Sequence, residues 1–182
     1  MKTLKEQFEK KLALELEKEL EIDNAHRIPR PSKVVVNVGL GCMSQRGDFD
    51  KLLNAIEKEF AVITGQKPSA RPAKKSISGF KLREGQTIGL AVTLRGTRMF
   101  EFIDKLVKIV FPRLRDFKGI DLKNVDKQGT LNIGFRDNFV FPEVNQDTSA
   151  AEFGLQITIV PTTRNRQWAV ALYKKLGFLF KK

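Results

Sequence analysis

Lys33-Val34-Val35-Val36-Asn37-Val38-Gly39-Leu40-Gly41 is rich in β-branched residues and bounded by prolines before and glycines after, a composition that predicts a strand. Side chains alternate along a strand, so Val34, Val36, Val38 and Leu40 fall on one face, and Lys33, Val35, Asn37 and Gly39 on the other. Three more stretches divide the same way: Thr87 to Arg95, Thr130 to Arg136 and Gly154 to Val160. Their apolar face collects Ile88, Leu90, Val92, Leu94, Leu131, Ile133, Phe135, Leu155, Ile157 and Ile159, and is expected to meet helices. The opposite face shows Thr87, Gly89, Ala91, Thr93, Arg95, Thr130, Asn132, Gly134, Arg136, Gly154, Gln156, Thr158 and Val160. It has no acid and no aromatic ring, is small and neutral at its centre, and carries Lys or Arg at some ends. Such residues also suit strand geometry and twist, but they leave a surface on which something broad and flat can lie. Without rings the face cannot stack bases. It suits structured RNA held through sugar and phosphate, with amides and hydroxyls serving single hydrogen bonds.

Around the strands the apolar period changes to that of helices. Leu4, Phe8, Leu12, Leu16 and Leu20 form an amphipathic stripe among Glu and Lys, which Pro29 and Pro31 bring to a stop. Phe49, Leu52, Leu53, Ile56, Phe60 and Ile63 make a second stripe, with Gly65 placed as a left-handed C-terminal residue. A third has Thr97 as its expected cap, Met99, Phe102, Ile103, Leu106 and Val110 as its buried side and Pro112 as its end. The last is expected over about Thr163 to Leu176, with Ala169, Leu172, Tyr173 and Leu176 inward and Gly177 as the stop. At 182 residues and 41% hydrophobic content, the chain reads as one domain, 1–182.

Charge narrows the partner. The net charge is +12, yet the first 23 residues hold five Lys against seven acids, so the remainder carries 28 basic residues against 14 acidic ones. From Thr64 to Gly85 there are six Lys or Arg, one Glu, two Pro and three Gly, with little to bury, so a core element is not expected there. A single solvated basic loop is ordinary. Here the excess recurs, at Lys105, Lys108, Arg113, Arg115 and Lys118, and again in six Lys or Arg from Arg164 onward with no acid. Separated basic patches on one chain are the footprint of a polyanion, whose binding releases counterions.

Other classes find little support. No apolar run approaches the roughly 20 residues needed to span a bilayer. The acid-rich start lacks the Arg, Ser and apolar centre of a targeting peptide, so a cytoplasmic location is expected. Cys42 is the only cysteine and His26 the only histidine, which leaves no internal disulfide, multi-cysteine metal site or Ser-His-Asp triad. Gly39-Leu40-Gly41 follows a strand, but Ser44 stands at the third glycine position of a dinucleotide fingerprint. Glu57 and Glu59 point to different sides of a helix. No catalytic residue, metal or cofactor is assigned, and an enzyme is disfavoured. An RNA-processing enzyme or a free RNA chaperone stand as the competing readings.

Val34-Val35-Val36-Asn37-Val38-Gly39-Leu40-Gly41, Thr64-Gly65-Gln66-Lys67-Pro68, Lys74-Lys75-Ser76-Ile77-Ser78-Gly79-Phe80-Lys81-Leu82-Arg83-Glu84-Gly85, Val92-Thr93-Leu94-Arg95-Gly96, Pro112-Arg113-Leu114-Arg115-Asp116-Phe117 and Phe141-Pro142-Glu143 resemble, in order and over nearly the whole chain, the bacterial ribosomal protein L5 family. The resemblance implies an α+β fold, a largely antiparallel curved β-sheet with helices packed on one face and the other open for RNA. It implies a ribosomal component of the central protuberance that binds 5S rRNA, touches 23S rRNA, reaches P-site tRNA and helps bridge to a small-subunit head protein. No membrane and no homo-oligomer are implied. The 5S rRNA contact would use Asn37, Gln66, Lys67, Thr93 and Arg95, and a projecting basic loop at about 72–86 would offer Lys74, Lys75, Ser76, Lys81 and Arg83 to tRNA. Arg164-Asn165-Arg166, where the family tends towards acids, and the tail from Gly177 to Lys182 depart from its pattern.

Overall fold

A computed structural model describes residues 3–43, 49–80, 82–115, 117–146, 149 and 151–181. Among them, four helices and five strands make an α+β fold with an open antiparallel sheet. The strands are β1 (Pro31–Gly39), β2 (Ser69–Pro72), β3 (Thr87–Leu94), β4 (Leu131–Phe135) and β5 (Leu155–Pro161), in the order β2-β3-β1-β5-β4. Helix α1 covers 4–19, with a π turn at Phe8–Leu12, and α2 is Phe49–Thr64. Helix α3 covers 96–113, with a π turn at Leu106–Val110, and α4 is Arg166–Lys175.

The two strand faces separate as the alternation predicts. Val34, Val36, Val38, Leu90, Val92, Leu94, Leu131, Ile133, Phe135, Leu155, Ile157 and Ile159 are all buried, while Asn37, Gly39, Gly134, Arg136 and Gln156 are exposed. Gly89 and Ala91 depart from the expected open face, because both are buried. A Cβ placed on Gly89 would lie 2.7 Å from the Val38 carbonyl oxygen, so backbone contact between neighbouring strands sets that glycine.

The basic stretch, expected to be loop throughout, contains β2. It is a fully exposed edge strand antiparallel to β3, with Ser69 opposite Ala91 and a shift in register between Arg71 and Pro72. Ser-Ala-Arg-Pro has no apolar alternation to announce a strand, and Arg and Pro are tolerated because the position is an edge. Thr97 does not cap α3: Arg95 occupies the N-cap, without a side-chain hydrogen bond, and Thr97 already lies within the helix. Pro112 sits inside the last turn, which closes at Arg113. Helix α4 starts later than expected because Asn165 caps it, accepting from the Gln167 N–H at 2.9 Å. Gly177, at φ +95°, ends it as expected.

By contacts the chain divides into two compact units, Met1–Val34 with Arg95–Ile133 and Thr158–Lys182, and Val35–Leu94 with Gly134–Ile157. In the first, Phe8 of α1 meets Phe100 of α3 at 5.7 Å between ring centroids, and Lys175 of α4 pairs with Glu15 and Glu19 of α1. The Tyr173 hydroxyl is fully buried, 2.8 Å from the Gly129 carbonyl oxygen and 3.0 Å from that of Ile159. In the second unit, buried Asn138 donates to Glu59, Ser149 and the Ala151 carbonyl, which gives Glu59 an anchoring role its helix position does not announce.

Tyr173 also makes the fold sensitive to base. Burial pushes its phenol above the ordinary value of 10.0. The folded state therefore keeps a proton that the unfolded chain releases, so this contribution is complete below about pH 10 and declines as the pH rises above it. Tyr173→Phe is expected to flatten that alkaline decline in a urea titration across pH 9 to 11. An identical pH profile for the two proteins would contradict the assignment.

Candidate nucleic-acid interface

Thr64 shapes the approach to the interface. It is 5% exposed, and its hydroxyl lies 2.8 Å from the Phe60 carbonyl oxygen and 3.0 Å from that of Gln66. Gly65 follows at φ +66°, its N–H donating to the Ala61 carbonyl at 2.8 Å. This left-handed end to α2 turns half-buried Gln66 and exposed Lys67 out of the helix, and buried Pro68 leads into β2. Since Ser69 opposes Ala91 in antiparallel register, the lead-in to β2 enters from the Thr93 side of β3.

Asn37 is exposed between buried Val36 and Val38, and Thr93 is half-buried between buried Val92 and Leu94. Strands β1 and β3 are neighbours, so both side chains belong to the outward face of adjacent strands. The second unit thus gathers Asn37, Gln66, Lys67 and Thr93, an amide pair, an ammonium and a hydroxyl, on two adjoining strands and the lead-in to a third. Arg95 is exposed and extended, φ −140°, at the start of α3 in the first unit. Thr64, which orients this arrangement, has no signal in the alternation pattern.

The basic loop is a laddered hairpin. Buried Ala73 donates to the Gln86 carbonyl at 2.8 Å and accepts from the Gly85 N–H at 3.0 Å, and further out Ile77 and Leu82 exchange bonds of 3.0 and 3.1 Å. Ser76 Oγ accepts from the Glu84 N–H at 2.9 Å, and Gln86 Oε1 accepts from the Arg83 N–H at 3.2 Å. Lys74, Lys75, Ser76 and Arg83 are all exposed along it. Lys81 lies outside the described residues. Ion pairs between described residues involve Lys11, Lys108 and Lys175, but not Lys67, Lys74, Lys75 or Arg83. Between β4 and β5, the Asp137 carboxylate, as hydrogen-bond acceptor and as a like charge, favours the protonated Glu152 carboxyl and raises it above its ordinary value.

Among the described residues no three His, Cys, Asp or Glu side chains converge as a metal site, and both His26 and Cys42 are exposed. Helix-backed strands with a small outward face and an exposed cationic hairpin define the class: an α+β protein with an open antiparallel sheet.

Comparison with known proteins names the family. The model described as Ribosomal protein L5 matches residues 24–83, and the model for the C-terminus of that family matches residues 87–180. The chain is 48% identical over 178 residues to the large ribosomal subunit protein uL5 of Anaeromyxobacter sp. (strain K), covering 98% of this chain and 97% of that one. It is 45% identical over 179 residues to the protein of the same name from Pseudothermotoga lettingae, covering 98% and 96% of the two chains. For that of Synechococcus sp. (strain RCC307) the identity is 42% over 179 residues, covering 98% of each. This chain belongs to the ribosomal protein L5 family.

Proposed function

We propose that this protein, a structural component of the large ribosomal subunit, binds 5S rRNA and attaches it to the central protuberance as a single RNA-binding module spanning 1–182. Asn37, Gln66, Lys67, Thr93 and Arg95 hold the 5S rRNA. Lys74, Lys75, Ser76, Lys81 and Arg83 on the hairpin reach P-site tRNA, while other surfaces touch 23S rRNA and a small-subunit head protein. The observation that carries this reading is that Asn37, exposed, and Thr93, half-buried, lie outward beside a basic turn, on strands whose alternate residues are buried. Uncharged hydrogen-bonding groups on a rigid sheet reward one RNA shape, whereas loose cations alone reward any phosphate backbone.

Purified protein is therefore expected to prefer 5S rRNA to a generic duplex of equal length, with a gentler loss of affinity as salt rises than a binder using charge alone. Equal affinity for native and scrambled RNA would sink the reading. Asn37→Ala or Thr93→Ala should leave the melting temperature nearly unchanged and weaken 5S rRNA binding by ~1–3 kcal/mol, the cost of an RNA group left unpaired. A variant that melts much earlier yet binds normally once folded would show that its side chain serves the fold instead.

A further inference from the structure

We propose that the cavity beside Phe80 receives an unpaired base of 5S rRNA, an inference that rests on the 5S reading above. Phe80 is 68% exposed, and no other aromatic side chain among the described residues is classed as exposed. It stands on a hairpin whose neighbouring described side chains include Lys74, Lys75 and Arg83. The turn Ser78–Phe80, closed by the Phe80 N–H donating to the Ile77 carbonyl at 3.2 Å, sets the backbone from which the ring projects. Beside it is a cavity of about 420 Å3 lined by Gly39, Gly41, Cys42, Phe80, Leu82 and Ile88. Among the described residues its side-chain walls are apolar apart from one thiol, its volume falls in the range of small-ligand pockets, and one wall is an aromatic side chain.

Two features select a base as the occupant. The cavity borders the face assigned to 5S rRNA, because Gly39 follows Asn37 by two residues on the same side of β1, while Ile88 closes it from the opposite face of β3. A Cβ added to Gly39 or Gly41 would meet nothing within 4 Å, so a flat ring can come close to bare backbone there. The sheet face itself cannot stack bases, so the ring on the hairpin supplies what the sheet lacks. With no charged group among its described lining residues, the cavity reads stacking and shape and tolerates changes of base identity.

The test uses the full chain, with 5S rRNA and tRNA titrated separately. Phe80→Ala is expected to bind 5S rRNA about 5- to 150-fold more weakly, the usual loss when one stacking ring is removed. The salt slope should not change, because no charge is removed. Gly39→Val, which fills the cavity from the other side, should also weaken binding while leaving the melting temperature unchanged. Phe80→Trp should retain binding, and its emission above that of Trp168 should be quenched as 5S rRNA saturates. Affinities of both Phe80→Ala and Gly39→Val within twofold of the parent protein would overturn the proposal. So would unquenched emission, or a Phe80→Ala defect confined to tRNA. Failure of the parent protein to prefer 5S rRNA would strike the underlying reading and is visible before any variant is tested.

Discussion

Gly89→Ala is expected to destabilise the protein and weaken 5S rRNA binding together, although residue 89 offers no side chain to RNA. The added Cβ would lie 2.7 Å from the Val38 carbonyl oxygen, a backbone atom with no rotamer that could relieve the contact. Strands β1 and β3 must then separate, and overpacking of this kind costs about 1–3 kcal/mol. For a chain of this length, each kcal/mol lowers the melting temperature by about 2–4 °C. The same movement displaces Asn37 on β1 relative to Thr93 on β3, so a single rigid RNA surface can no longer satisfy both. Gly134→Ala is the matched control: it lies on the outward face of β4, is exposed, and has nothing within 4 Å of the added Cβ. It should melt and bind like the parent. If Gly89→Ala did the same, the close strand approach would not be what fixes the interface.

Gly89 also marks how far sequence reading reaches. Alternation separates the two faces of β1, β3, β4 and β5 because burial acts on every second side chain and leaves its imprint in residue type. It therefore places Asn37 and Thr93 outward. It cannot say why an outward residue is small. Gly89 and Ala91 read as part of an RNA-facing surface, yet they are buried, Gly89 against the backbone of β1 and Ala91 beside β2. Strand β2 itself is invisible to pattern because pairing with β3 makes it a strand, and Ser-Ala-Arg-Pro carries no local preference that reveals this. The start of α4, expected at about Thr163, falls at Arg166 for a related reason. Several polar residues from Thr162 to Asn165 can accept a backbone N–H, and tertiary placement selects Asn165. The site divides likewise. The resemblance places Gln66 and Lys67, but the buried hydroxyl of Thr64 that shares its proton between two carbonyls emerges only in three dimensions.

Removal of the hairpin is expected to separate the two RNA contacts. Buried Ala73 belongs to the base of the ladder and should be kept with Gly85 and Gln86, so the cut runs from Lys74 to Glu84. What is lost is largely exposed, and closing a shorter surface loop changes the free energy only slightly, so folding should survive. Asn37, Gln66, Lys67 and Thr93 remain, and with them the anchorage of 5S rRNA and of the protein on the subunit. Some 5S affinity should still fall, because Phe80 leaves with the hairpin. The larger loss concerns tRNA. Lys74, Lys75, Lys81 and Arg83 go together, and a single charge-assisted hydrogen bond is worth enough for its loss to speed dissociation roughly tenfold or more. The difference should widen as ionic strength is lowered, since screening no longer masks the missing charges. The measurement is the dissociation rate of P-site tRNA from ribosomes carrying the shortened protein, at two salt concentrations. An unchanged rate at both would refute a tRNA role for the hairpin. Ribosomes that lose the protein altogether would show instead that the hairpin is part of the anchor, and would move its cations from the tRNA to the ribosomal RNA.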